Sequence, residues 1–200
     1  MPKAVLWDVG NVIVRWNPRT LYEKFFEEPA ECDRFLSHVC TMEWHVRHDL
    51  GVTFEENRKP LLDEFPEYAE AILAWEQRWW EMFSGTIAEA EAAIEALHAR
   101  GVPQFVLSNM SHEVFDGITA MSPAFRRIEG FVISANEKLM KPQPEIYQRA
   151  CERFGCAPED FLFVDDSAWN IAAAAELGFD TLHFTDPAAL RPALESRGLL

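Results

Sequence analysis

Read for its apolar and polar positions, the chain opens on Val5-Leu6-Trp7-Asp8-Val9-Gly10-Asn11-Val12-Ile13-Val14, an apolar run broken by one carboxylate and a glycine. Apolar flanks of this kind predict a strand buried on both faces, as in a parallel sheet. An aspartate closing such a strand stands at the sheet's carboxyl edge, where open α/β folds place their ligands. The plainer reading is an aspartate that caps the following turn.

The texture changes from about residue 16 to residue 84. Asn17-Pro18 opens this segment and Phe83-Ser84-Gly85-Thr86 closes it. Leu21, Phe25 and Phe26 fall at helical spacing, as do Phe35, Leu36 and Val39. Asp49-Leu50-Gly51-Val52-Thr53 interrupts the series, and Thr53 with Glu56 predicts a capping box for the next helix. Ile72, Trp75, Trp79 and Phe83 form an aromatic stripe, read as core or inter-domain packing rather than a ligand box. No strand is expected here, so the segment reads as a helical insert.

From Thr86 short apolar runs alternate with helical periods. Ile87, Ala90, Ile94 and Leu97 share a helical face that Gly101 would cap. Val102 to Leu107 predicts a strand ending in Ser108-Asn109, and residues 111–121 a helix. Gly130 to Ile133 is a further short strand. Pro144 opens a helix carrying Ile146, Tyr147, Ala150 and Phe154, with Gly155 past its end. Phe161 to Val164 predicts a buried strand ending in Asp165-Asp166, with Ser167 capping the helix that runs to Gly178. Thr181 to Phe184 is the last strand. The alternation predicts an α/β fold: a Rossmann-like parallel sheet covered by helices on both faces. The core would comprise 1–15 and 85–200, with a helical cap, 16–84, inserted after the first strand.

Composition narrows the partners. Two hundred residues suffice for one core with a smaller insert. A net charge of −15 argues against nucleic acid and against anionic membrane surfaces. An anionic small substrate remains compatible, given a local metal or lysine. Cys32, Cys40, Cys151 and Cys156 form no CxxC pair and read as reduced, small apolar residues. No apolar run approaches the ~20 residues of a membrane span. The first strand begins almost at once, so no targeting segment is expected, and the location expected is the cytoplasm. Either a monomer or a homodimer fits.

Three predicted strands stop at Asp8, Ser108 and Asp165-Asp166. In a parallel sheet those endings share one edge. Three clustered carboxylates call for a cation, and oxygen donors without His or Cys suit Mg²⁺. Ser108 offers a hydroxyl to an anion, and Lys141 a point charge. A metal, a lysine, a hydroxyl and a carboxylate nucleophile together describe phosphoryl transfer through an aspartyl intermediate.

At these positions the chain resembles the haloacid dehalogenase-like hydrolases, and within them the small capped phosphatases. Asp8-Val9-Gly10-Asn11-Val12, Leu107-Ser108-Asn109, Lys141-Pro142-Gln143-Pro144 and Val164-Asp165-Asp166-Ser167 match the four family motifs in order. The Asp-x-Gly-Asn-Val form most resembles the glucose-1-phosphate phosphatase type. The resemblance implies that Asp8 is the nucleophile and a metal ligand. It implies that the Gly10 carbonyl and Asp166 also bind Mg²⁺, with Asp165 as ligand or water-holder. Ser108 and the Asn109 N–H would grip the phosphoryl oxygens, and Lys141 would neutralise both phosphate and Asp8. Lys138 is the less fitting lysine, because the family places Lys directly before Pro.

One departure stands out. Most phosphatases of the family carry a second aspartate two residues after the nucleophile, to protonate the leaving group and activate water. Here that position is Gly10. A leaving group that departs easily, such as an anomeric sugar phosphate, would tolerate the loss. Otherwise a water or a cap residue, His45 and His48 being candidates, would supply the proton. The plainer reading of both is a packed or solvated histidine. The leading expectation is a Mg²⁺-dependent phosphatase of a small metabolite, a sugar phosphate. The alternatives are a metal-free 2-haloacid dehalogenase, which also lacks the second aspartate but needs no acidic pair, and a catalytically weak binding homologue.

Overall fold

The computed structural model describes all 200 residues. Strand β1 (Ala4–Trp7) is buried along its whole length. A short strand β2 (Val14–Trp16) follows, then helices α1 (Arg19–Tyr22), α2 (Pro29–His38) and α3 (Met42–Asp49). Helices α4 (Phe54–Glu64) and α5 (Ala69–Gln77) lead to strand β3 (Phe83–Thr86). Beyond it run α6 (Ala88–Ala99), β4 (Gln104–Ser108), α7 (Phe115–Ala120) and β5 (Gly130–Ile133). The chain closes with α8 (Ser134–Glu137), α9 (Pro144–Phe154), β6 (Phe161–Asp165), α10 (Ala168–Glu176), β7 (Asp180–His183) and α11 (Leu190–Ser196).

Five strands form one parallel sheet in the order β5-β4-β1-β6-β7, with β1 at its centre. This is the expected Rossmann-like α/β architecture. Side chains alternate between its faces, as the two-residue period of a strand requires. Val5, Trp7, Val106, Leu162 and Val164 face one way, against α6, α11 and the aromatic helices of the insert. Leu6, Phe105, Leu107, Phe161 and Phe163 face the other, against α9 and α10. Burial on both faces explains why these strands read as unbroken apolar runs.

The residues between 16 and 84 are helical, with one addition. β2 and β3 pair as an antiparallel ribbon where the insert leaves and rejoins the sheet. No strand was expected at Phe83-Ser84-Gly85-Thr86, because serine and glycine depress strand propensity and the partner lies far back along the chain. The helical run expected through Phe25 and Phe26 is shorter: α1 ends at Tyr22. The capping box is present, with Thr53 accepting from the Glu56 N–H and the Glu56 carboxylate accepting from Thr53. Ser167 makes no side-chain cap on α10; its own N–H instead donates to Asp165 Oδ1 at 2.8 Å.

Trp75 and Trp79 are buried in the same apolar cluster as Val5 and Trp7, so insert and sheet share one core. The insert also closes onto the loops beyond β4 and β5. Phe54 N–H donates to Glu113 Oε2 at 2.7 Å. Gly51, at φ +88°, lies so close to α8 that a Cβ there would come 2.7 Å from the Ala135 carbonyl. Only glycine accepts both that dihedral and that approach.

Candidate active site

Asp8 directly follows β1, and its N–H donates to the Val164 carbonyl at 2.9 Å, extending the strand pairing by one residue. Ser108 ends β4 and Asp165 ends β6, on either side of it. All three thus meet at the carboxyl edge of the central strands. Ser108 Oγ donates to Asp8 Oδ1 at 2.9 Å. Lys141, 2% exposed, places Nζ 2.8 Å from Asp8 Oδ1 and 2.6 Å from Asp165 Oδ2. Asp8 Oδ2 accepts no hydrogen bond from the protein.

Burial of this group would be costly without its internal pairing. Desolvation pushes Asp8 up to about 6, with Asp165 and Asp166 adding to the rise and Lys141 opposing it. Burial alone would lower the Lys141 ammonium, but Asp165 and Asp8 outweigh it and hold its pKa above the ordinary lysine range. Lys141 is therefore a fixed positive charge. Asp166, half-buried, is also raised by desolvation and by Asp165.

Asp165 is more heavily committed than expected. Its Oδ1 accepts from the Ser167 N–H and from Asn170 Nδ2, and its Oδ2 from Lys141 and again Asn170. That makes it the anchor of Lys141 more than an open ligand. Asn109 carries a role that the sequence did not reveal. Its side chain accepts from Lys141 N–H at 2.8 Å and donates to the Lys141 carbonyl at 2.9 Å. This reciprocal pair fixes the lysine's backbone, whereas the expected role lay in the Asn109 main-chain N–H. Lys138 points away, with Nζ 3.4 Å from the Gly51 carbonyl.

Asp8, Asp165 and Asp166 offer carboxylate oxygens that all lie within 4.8 Å of one another. Three acidic groups face one lysine, so the donor set is negative overall and purely oxygen, which fits a hard divalent cation. In the loop after Asp8, the N–H groups of Val12, Ile13 and Val14 all converge on the Val9 carbonyl, leaving that of Gly10 free of backbone hydrogen bonds. A Cβ at Gly10 would touch nothing within 4 Å, so the missing aspartate is not excluded by space.

Above this edge lies a cavity of about 140 Å³, between the strand ends and the insert. Gly10, Ser108 and Asn109 form its floor. Trp16, Met42, Trp79, Phe83, Val114 and Ile118 contribute apolar walls, and no lysine or arginine lines it. The aromatic stripe is thus core at Trp75 and cavity wall at Trp79 and Phe83. Trp16 and His45 of the insert reach the cavity; Asn17, Trp44, Arg47 and His48 do not. Trp44 Nε1 instead donates to the Asn57 carbonyl at 2.9 Å. His48 is packed inside the insert, its Nε2 2.8 Å from Asn57 Nδ2. Burial lowers His45 to about 4 and His48 to about 3, so both are neutral near pH 7. Asp49, at the end of α3, also lines the cavity and was not anticipated.

Comparison with known proteins bears on the fold and its chemistry. The family model of the haloacid dehalogenase-like hydrolases matches residues 2–178. An (S)-2-haloacid dehalogenase of Burkholderia cepacia is 32% identical over 155 residues, 74% of this chain and 62% of that protein. The chain thus spans less than two thirds of the length of that dehalogenase, and 41% of a second one from a Pseudomonas strain. A sesquiterpene phosphatase of Aspergillus oryzae is 27% identical across 99% of this chain and 96% of its own. A family enzyme of Bacteroides thetaiotaomicron, solved with magnesium and inorganic phosphate, superposes with a TM-score of 0.70 at 20% identity, covering 95% of this chain and 99% of that one. The match of the family model runs from β1 into the loop beyond α10, and the chain belongs to the haloacid dehalogenase-like hydrolases.

Proposed function

We propose that this hydrolase is a Mg²⁺-dependent phosphatase of a small phosphorylated metabolite, working in the cytoplasm through a phosphoryl-Asp8 intermediate. The acidic trio at the strand ends supports this reading most. Asp8, Asp166 and the Gly10 carbonyl would hold the ion, with Asp165 behind them. Once bound, the ion would offset the charge of the phosphate and keep Asp8 ionised. Asp8 Oδ2, free of protein partners, attacks phosphorus while Ser108 and Lys141 hold Oδ1. Lys141 and the Asn109 N–H meet the charge that builds on the phosphoryl oxygens.

The second reading, a 2-haloacid dehalogenase, is favoured by the name of the Burkholderia relative. Against it stands the acidic trio at the strand ends. Attack on the carbon of a haloacid needs no cation, so that chemistry leaves the convergence of Asp8, Asp165 and Asp166 without a use. A phosphate monoester would keep its charge at the strand ends, beneath the cavity beside Lys141, and present its leaving group to the wall. That wall is mainly apolar, which favours a small apolar alcohol over the sugar expected from sequence. One panel separates these readings. Purified protein should release phosphate from alkyl and sugar phosphates with Mg²⁺ and stop with EDTA. Halide release from 2-chloropropionate, with no phosphate from any ester, would reverse the assignment.

A further inference from the structure

We infer that Asp49, a residue of the insert rather than of the sheet, is the proton donor and acceptor that position 10 lacks. The inference rests on the phosphatase reading. Asp49 shares the cavity with Gly10 and Ser108, so it faces the reacting edge from the side where a leaving group would stand. Its residue is only 6% exposed, yet its carboxyl makes no hydrogen bond within the protein. The nearby polar group is His45 Nε2, at 3.8 Å, too far for one. The Asp49 oxygens are not fully enclosed and open onto the cavity, where a ligand would meet them.

Its position is also well held. Asp49 closes α3, and the turn after it is locked by Gly51 against Ala135 and by the Phe54–Glu113 hydrogen bond. The end of a helix disfavours a negative charge, so this place suits a neutral acid. The charged groups facing it are Asp8 after β1, Lys141 before α9 and His45 on its own helix. Burial, with the Asp8 charge adding and Lys141 opposing, raises Asp49 to about 7. His45 is stacked on Trp16, with ring centroids 5.1 Å apart, and is neutral near pH 7, so it has no proton to give. His48 does not reach the cavity.

The proton balance closes over two steps. As Asp8 Oδ2 bonds to phosphorus, the ester P–O bond breaks, and its electron pair takes the proton of Asp49 to give the free alcohol. The Asp49 carboxylate then takes a proton from water as the water oxygen attacks phosphorus. The Asp8–phosphorus bond breaks, inorganic phosphate leaves, and both carboxyl groups return to their starting states.

The full chain with Mg²⁺ tests this through leaving-group dependence. Nitrophenolate departs without help, whereas an alkoxide needs a proton. Asp49→Asn should lower kcat for an alkyl phosphate by about 10²–10⁴-fold and for nitrophenyl phosphate by less than about tenfold. Adding Gly10→Asp, for which the loop has room, should restore alkyl phosphate turnover in that background. Independently of any variant, the wild-type enzyme should show a shallow dependence of kcat/KM on the pKa of the alcohol released. An equal loss on both esters, no loss on either, or a steep wild-type dependence overturns the role of Asp49 while leaving the phosphatase intact. No phosphate release by the wild-type chain from either ester overturns the phosphatase reading and this inference together.

Discussion

The strand-end floor beneath the cavity and the wall of the cavity bury polar groups in opposite ways. On the floor, charge is kept and paired: Lys141 stands between Asp8 and Asp165, within 2.8 Å of each. On the wall, charge is suppressed: His45 falls to about 4 and Asp49 rises to about 7, so the pair is uncharged at pH 6. The difference follows from the neighbours. Strand ends bring carboxylates and a lysine together and let them compensate. The aromatic insert offers Trp16 and Trp79 instead, and a group placed there loses its charge rather than finding a partner. A site with a charged floor and a neutral wall can hold a dianion at one end and an apolar alcohol at the other.

Breaking the floor should have the largest effect. Asp8→Asn is expected to lower phosphate release by about 10⁴–10⁶-fold, as loss of a nucleophile does, with the fold intact by circular dichroism. Retained turnover would remove Asp8 from the chemistry. Lys141→Met strips the floor of its cation and leaves Asp8 and Asp165 facing each other. It should cost about 3–5 kcal/mol in urea unfolding and abolish activity. A loss below 1 kcal/mol would mean the floor is not held by charge pairing.

The wall should respond to pH instead. The Asp49 pKa is raised in the fold, so the folding penalty for its ionisation is absent at about pH 4 and grows as pH climbs through about 7. Asn cannot ionise. Asp49→Asn of the metal-free protein should therefore match the wild type at pH 4 and exceed it by about 2–4 kcal/mol above pH 8. The same gap at both pH values would contradict a neutral wall. The smallest effect concerns the frame of that wall: Thr53→Ala removes the cap of α4 and should cost about 1 kcal/mol.

The floor was legible in the sequence and the wall was not, for a physical reason. Asp8, Ser108 and Asp165 each end an apolar run, and parallel pairing brings such endings together from positions far apart in the chain. Lys141 was named by its place before Pro142. The wall depends on how helices of one insert turn toward a distant edge, and no period or spacing encodes that. Asp49 sits in a stretch read only as a break between helices, although an acid just before a glycine turn is a signal in retrospect. His45 is a candidate from sequence, but only packing shows that its imidazole stays neutral. Asn109 likewise looked like a phosphate contact, and its clamp on Lys141 needed the loop's path.

The measurement closest to the central claim is a single turnover in heavy-oxygen water with excess enzyme, an alkyl phosphate and Mg²⁺. Attack of water on a phosphoryl-Asp8 intermediate at phosphorus puts the label in the released phosphate and none in Asp8. That is the result expected. Label incorporated into the Asp8 carboxylate on turnover of 2-chloropropionate, with no phosphate released from any ester, would contradict it.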